Sequence, residues 1–180
     1  MTDLLALDIA TSCGVARGLV GATAPQCGSI RFGKPGASQL AICGHALEWA
    51  IDTLKPPLPD VVAIEALLPP QVTRGKSNVD HDLLAHLHGI VMGVCFMRGV
   101  YKVHKYPVMT VRAHFIDLKT CRRGESKAEV QRKCKELGWL AEPDADAADA
   151  AALWSYQASL IDPEQAVRIS PLFHRVRAIA

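Results

Sequence analysis

Short apolar runs come first along the chain, and segments of helical periodicity follow. Leu4 to Leu7 is unbroken and apolar and stops on Asp8; Thr11-Ser12-Cys13-Gly14 then leads into Val15 to Val20, and a third run spans Gln26 to Phe32. Runs of this length between turn residues predict three strands, the first two joined by a tight turn. After the turn Gly33-Lys34-Pro35-Gly36, apolar residues recur at helical intervals from Ser38 to Leu54, and Pro56-Pro57 ends that helix. Val61-Val62-Ala63-Ile64 is wholly apolar, the pattern of a strand buried on both faces of a parallel sheet, and it too finishes on an acid, Glu65.

Pro69 to Asn78 is polar and predicts a loop carrying Arg74 and Lys76. A long helix is expected from Val79 to Arg98 with two apolar stripes, Leu83, Leu87, Ile90, Val94 and Met97 on one and Leu84, Val91 and Cys95 on the other. One stripe serves the core. The other, beside Gly89-x-x-x-Gly93, serves either a dimer partner or a second internal face. Tyr101 to Lys105 predicts a strand, Val111 to Leu118 a short helix, and Ser126 to Leu137 a helix whose Ser126 and Glu129 have capping-box spacing. A final helix starts near Pro143 or Asp144 and runs through the alanines to Leu160; residues 162–180 form a tail. Strands followed by interleaved helices and buried strands indicate an α/β layered fold, and 180 residues fit a single domain.

The net charge of +2 conceals a gradient: residues 98–135 carry 11 Lys and Arg against 3 acids, while the rest of the chain is acidic. A basic segment on an acidic body points to a polyanion partner or to a solvated helix face. No apolar run is long enough to span a bilayer and no secretory signal opens the chain, so a cytoplasmic location is expected. The six cysteines form no C-x-x-C pair and are expected to be reduced, mostly as small buried hydrophobes. His86 and His88 lie two apart on a helix, a poor metal pair, and are expected at the surface or a dimer face.

The acids are the sharper signal. Asp8 and Glu65 end apolar strands, and Asp146 and Asp149 are spaced to share one face of the last helix. Clustered carboxylates repel one another unless a cation compensates them, and oxygen-rich sites select Mg²⁺ or Mn²⁺. Two such ions suit hydrolytic phosphoryl transfer. Each acid also has a plainer reading: Asp144 and Asp146 as complements to a helix dipole, Glu65 as a strand end, Asp8 as a turn former.

Taken in order, Leu7-Asp8 with Gly14 six residues on, Ala63-Ile64-Glu65, and Asp146-Ala147-Ala148-Asp149-Ala150 resemble the motif series of the RuvC family of Holliday-junction resolvases. Gly124-Glu125-Ser126-Lys127-Ala128-Glu129-Val130-Gln131 is similar to the family segment bearing a lysine near the scissile phosphate. The resemblance implies an RNase H-like fold with a mixed central sheet flanked by helices, a homodimer through the helix around 79–98, and a Mg²⁺-dependent endonuclease that resolves four-way junctions by paired nicks. It makes Asp8, Glu65, Asp146 and Asp149 the holders of two metal ions, replaceable by Mn²⁺, with Lys127 as a further catalytic residue. Arg74, Lys76, Arg112, Lys119, Arg122, Arg123, Arg132 and Lys133 are the candidate DNA-backbone contacts.

The chain departs from the family at Leu68, where an aromatic residue is common, and near His114 and Phe115, where a second lysine is expected. Such changes suit a diverged form of the kind phages or prophages carry. Two other readings compete. Asp8 to Gly14 also resembles the first phosphate loop of actin-like ATPases and sugar kinases, which need a second domain and a second glycine-rich loop. A non-catalytic DNA-structure-binding module on the same fold would bind phosphates better without the four acids.

Overall fold

A computed structural model describes residues 1–67, 78–116 and 124–164, with residues 78–80 described by backbone alone. Five strands, β1 (Asp3–Asp8), β2 (Ser12–Leu19), β3 (Gln26–Arg31), β4 (Val61–Glu65) and β5 (Val103–Tyr106), form one sheet in the order β3-β2-β1-β4-β5. The first three are an antiparallel meander; β4 then pairs parallel with β1, and β5 parallel with β4. The helices are α1 (Gln39–Thr53), α2 (Asn78–Met97), α3 (Val108–Phe115), α4 (Ser126–Glu136) and α5 (Ala145–Ile161).

Side chains alternate across a strand, so each strand feeds two cores. Leu4 and Ala6 of β1 join Val61 and Ala63 of β4 in a core roofed by α3, α4 and α5, with Phe115, Val130, Cys134, Trp139 and Trp154. Leu5 and Leu7 join Val62 and Ile64 on the opposite face, under α1 and α2, with Phe32, Ala46, Leu87, Val91 and Cys95. The molecule is a three-layer α/β/α arrangement with a mixed sheet. Leu4 to Leu7 and Val61 to Ile64 are apolar throughout because both of their faces are covered.

The element boundaries differ from the sequence reading in instructive places. Helix α3 begins three residues early because Pro107 stands at its N-cap in extended geometry, a natural start for a helix. The capping box at Ser126 and Glu129 does not form: Glu125 is the N-cap with no side-chain cap bond, and the Ser126 hydroxyl instead accepts from Arg112. On α2 the core stripe is Leu83, Leu87, Val91, Val94 and Cys95, while Met97 is 69% exposed. Both expected stripes therefore contribute to one core face. His88, expected at the surface or a dimer face, is buried within the chain and hydrogen-bonds the backbone of Ile9. Its Nδ1 has no hydrogen-bond partner among the described residues, and burial followed by the nearby Lys105 pushes its pKa down to about 4.

Candidate active site

Strand register brings the acids together. Asp8 of β1 pairs with Gly14 of β2, Leu7 pairs with Ile64 so that Asp8 and Glu65 end adjacent strands at one level, and Glu65 pairs with Tyr106 of β5. By alternation from Leu4 and Ala6, and from Val61 and Ala63, Asp8 and Glu65 both face the α5 layer. Gly14, Asp8, Glu65 and Tyr106 thus form a row across four strands at one end of the sheet.

Helix α5 crosses that row. Asp144 caps it, its Oδ1 accepting from the backbone N–H of Asp146 at 3.1 Å and of Ala147 at 3.0 Å, while the Ser29 hydroxyl donates to Oδ2 at 2.7 Å. The helix start is thereby tied to the edge strand β3. Close approach requires Gly14: a Cβ there would stand 1.9 Å from the carbonyl oxygen of Asp146. Farther along α5, Gln157 accepts a 2.7 Å hydrogen bond from the Tyr106 hydroxyl, fixing the helix against β5. Asp146 and Asp149 lie between these two anchor points.

Two cations cover the acids from the outer helices. Arg112 of α3 donates from Nη2 to both oxygens of Asp149, at 2.9 Å and 3.1 Å, and from Nε at 3.3 Å. Lys127 of α4 has its Nζ 3.4 Å from Asp146 and 3.6 Å from Asp149. Asp149 is 5% exposed, whereas Lys127 is half open to solvent. Burial, then Asp149 and Asp146, push the Asp8 carboxyl up to about 7. Burial, then Asp8 and Asp149, push Glu65 up to about 8. Burial opposes a charge on Lys127, but Asp149, Asp146 and Asp8 raise its pKa on balance. The four acids therefore share one field, which Arg112 and Lys127 only partly offset.

The chain resembles known structures, although no family model and no curated protein sequence matches it. RuvC of Thermus thermophilus in complex with Holliday junction substrate superposes with a TM-score of 0.65 at 17% identity, over 90% of this chain and 98% of that one. A second structure of Thermus thermophilus RuvC gives 0.63 at 19% identity, over 88% and 96%. The yeast mitochondrial Holliday junction resolvase gives 0.56 at 10% identity, over 92% and 79%. The fold is that of RuvC, a member of the RNase H-like class.

On this RuvC fold, Asp8 and Glu65 end adjacent strands, both feel the charge of Asp149, and Lys127 lies beside Asp146 and Asp149. Among the described residues, however, no three His, Cys, Asp or Glu side chains are arranged to enclose an ion. The donor chemistry still fits a hard divalent cation: the carboxylates act on one another through space, and Asp8 and Glu65 are raised by burial and that repulsion. Both oxygens of Asp149 are instead taken by Arg112. The other candidate DNA contacts fare unevenly. Arg132 is paired within α4 to Glu129 and Glu136, and Lys133 donates to the Phe115 carbonyl at 2.5 Å and lies over its ring. Arg74, Lys76, Lys119, Arg122 and Arg123 lie outside the described residues, as do Leu68 and residues 165–180.

Three site features escaped the sequence reading. The position of Arg112 on Asp149 depends on a contact 37 residues apart, which no local pattern reveals. The contact between Gly14 and Asp146 had a signal, a glycine opposite a strand-end acid. The tie from Ser29 to Asp144 had half of one, since Asp144 precedes the alanine-rich helix as a natural N-cap. Among the described residues no helix is long and apolar enough to cross a membrane.

Proposed function

We propose that the chain is a divalent-metal-dependent endonuclease that cuts branched DNA and resolves four-way junctions by paired nicks. The observation that supports this most is the convergence of Asp8 and Glu65 from adjacent strands with Asp146 and Asp149 of α5 on one face of the sheet. These four residues would hold the metal, which when bound supplies charge to activate water and to stabilise the leaving oxygen. Lys127, cationic, half exposed and beside Asp146, would bind a phosphate next to the acids. Cys13 and the apolar strand ends beneath exclude water from the sheet side. The junction complex of Thermus thermophilus RuvC makes branched DNA the substrate to try first.

The test is to incubate the chain with synthetic four-way, three-way, flapped and linear duplex DNA, in Mg²⁺ and in a chelator. Symmetric nicks in the four-way substrate, lost on chelation, are the expected result. ATP turnover with every DNA left intact would overturn the reading in favour of a kinase-like domain.

Paired nicking calls for two active sites, and α2 offers a surface for a second copy. Ala85, Gly89, Met92, Gly93 and Phe96 fall on one exposed stripe, where a Cβ on either glycine would meet nothing within 4 Å. Phe96 is 69% exposed and makes an edge contact with the ring of Tyr101, itself 73% exposed. Glycines between large apolar side chains allow two such helices to approach closely around a two-fold axis. The parent chain is expected to sediment as a dimer at micromolar concentration, and Phe96→Glu as a monomer. A parent that sediments as a monomer would remove the homodimer from the proposal.

A further inference from the structure

The arrangement at Asp149 carries one step more, which rests on the nuclease reading above. Arg112 places three N–H···O contacts on this carboxylate, at 2.9, 3.1 and 3.3 Å, and its remaining terminal nitrogen donates to Ser126 Oγ at 3.2 Å. The guanidinium is 16% exposed and the carboxylate 5%. A buried, two-pronged pair of this kind couples its charges strongly and uses most of the lone-pair directions a carboxylate has. Lys127 stands at 3.6 Å on Oδ2 as well. A cation coming to Asp149 therefore meets an occupied ligand and a like charge behind it.

We infer that Arg112 is an internal counter-cation that competes with the divalent ion for Asp149 and so sets the metal affinity of the site. Arg112 takes both lone-pair directions of Oδ1 and one of Oδ2, so an ion that uses both oxygens displaces the guanidinium from Oδ1, and one that uses Oδ2 alone sits against Arg112 and Lys127 together. Ser126 at the start of α4 provides the side to which the released guanidinium stays attached. In this view Arg112 holds the metal-free site in register, since an unpaired Asp149 at this depth would be costly, and it weakens metal binding for the same reason. It is a positioning residue whose effect on the ion runs through Asp149.

The experiment uses the full chain without DNA, titrated with Mn²⁺ by calorimetry, and melted with and without Mn²⁺. Arg112→Gln is expected to bind Mn²⁺ about tenfold more tightly than the parent, because a like charge has been removed. Its metal-free form should melt below the parent, and Mn²⁺ should raise its melting temperature by more than it raises the parent's. Arg112→Lys keeps a charge but not the fork, so its affinity should fall between the two, and it carries the test if the glutamine variant does not fold. Asp149→Asn combined with Arg112→Gln should abolish the gain. Unchanged or weaker Mn²⁺ binding by folded Arg112→Gln or Arg112→Lys, with a parent that binds and cuts, overturns the inference alone. Absence of Mn²⁺ binding in parent and variants overturns both the inference and the nuclease reading.

Discussion

Asp8→Asn is expected to lower cleavage of a four-way junction by about a thousandfold, and to do so in a chain that folds at least as well as its parent. The first half follows from the position of Asp8. It ends β1 between Gly14 and Glu65, within the field of Asp146 and Asp149, so it is the acid most central to the proposed metal site. Losing several kcal/mol of charge stabilisation corresponds to about three orders of magnitude in rate. The second half follows from the sign of its pKa shift. Burial and the neighbouring acids raise the folded carboxyl to about 7, above its unfolded value of 3.8. The folded metal-free chain thus holds on to a proton that the unfolded chain releases, and its stability falls as pH rises between those values. Asparagine carries no charge to bury. Metal-free Asp8→Asn should therefore melt above the parent at pH 8, by roughly 2–4 °C per kcal/mol recovered, with the difference closing towards pH 4. Calorimetric melts at the two pH values, beside a cleavage assay in Mg²⁺, separate lost chemistry from lost structure. Parental cutting by this variant would remove Asp8 from the mechanism.

Gly14→Ala should act in the opposite way, through structure first. The added Cβ would lie 1.9 Å from the carbonyl oxygen of Asp146 and 2.4 Å from its carbonyl carbon. Both are backbone atoms, so no rotamer change relieves the clash, and α5 must move away from β2. Overpacking typically costs about 1–3 kcal/mol when side chains can give way, and here they cannot. A fall in melting temperature of about 10 °C is expected, together with reduced cleavage as Asp146 and Asp149 leave the Asp8–Glu65 row. Gly18→Ala serves as the comparison: its Cβ would approach the Cα of Pro25 at 3.1 Å, a contact a small shift relieves, so its effect should be much smaller. Equal melting temperatures for Gly14→Ala and the parent would show that α5 does not depend on this close approach.

The parts of the site legible in the sequence were those encoded locally. Asp8 and Glu65 stand out because each ends an apolar strand on an acid, although a turn former or an ordinary strand end would look the same one residue at a time. Asp146 and Asp149 announce themselves by spacing, and the alanines around them by size. The register that sets Asp8 beside Glu65 is not written in either strand; it follows from β4 returning parallel to β1, which only the whole fold specifies. Helix α2 defeated the pattern reading because it is apolar on nearly every side. Periodicity alone could not choose between the stripe ending at Met97 and the one ending at Cys95, and burial of parts of both decides it. Ser126 defeated it differently: the spacing to Glu129 is right for a capping box, but Arg112 claims the hydroxyl from another helix. Local rules yield where a charged partner from elsewhere in the chain makes a stronger bond.

Where α5 packs between the sheet and helices α3 and α4, Ala147, Ala148, Ala150, Ala151 and Ala152 are wholly buried, so methyl groups act as a shim between this helix and its neighbours. The spacing between α5 and the strands that end on Asp8 and Glu65 depends on those small side chains. The segments that join the elements could then change without retuning the proposed metal site, whereas a single ethyl-sized side chain in the shim would push both aspartates off station at once.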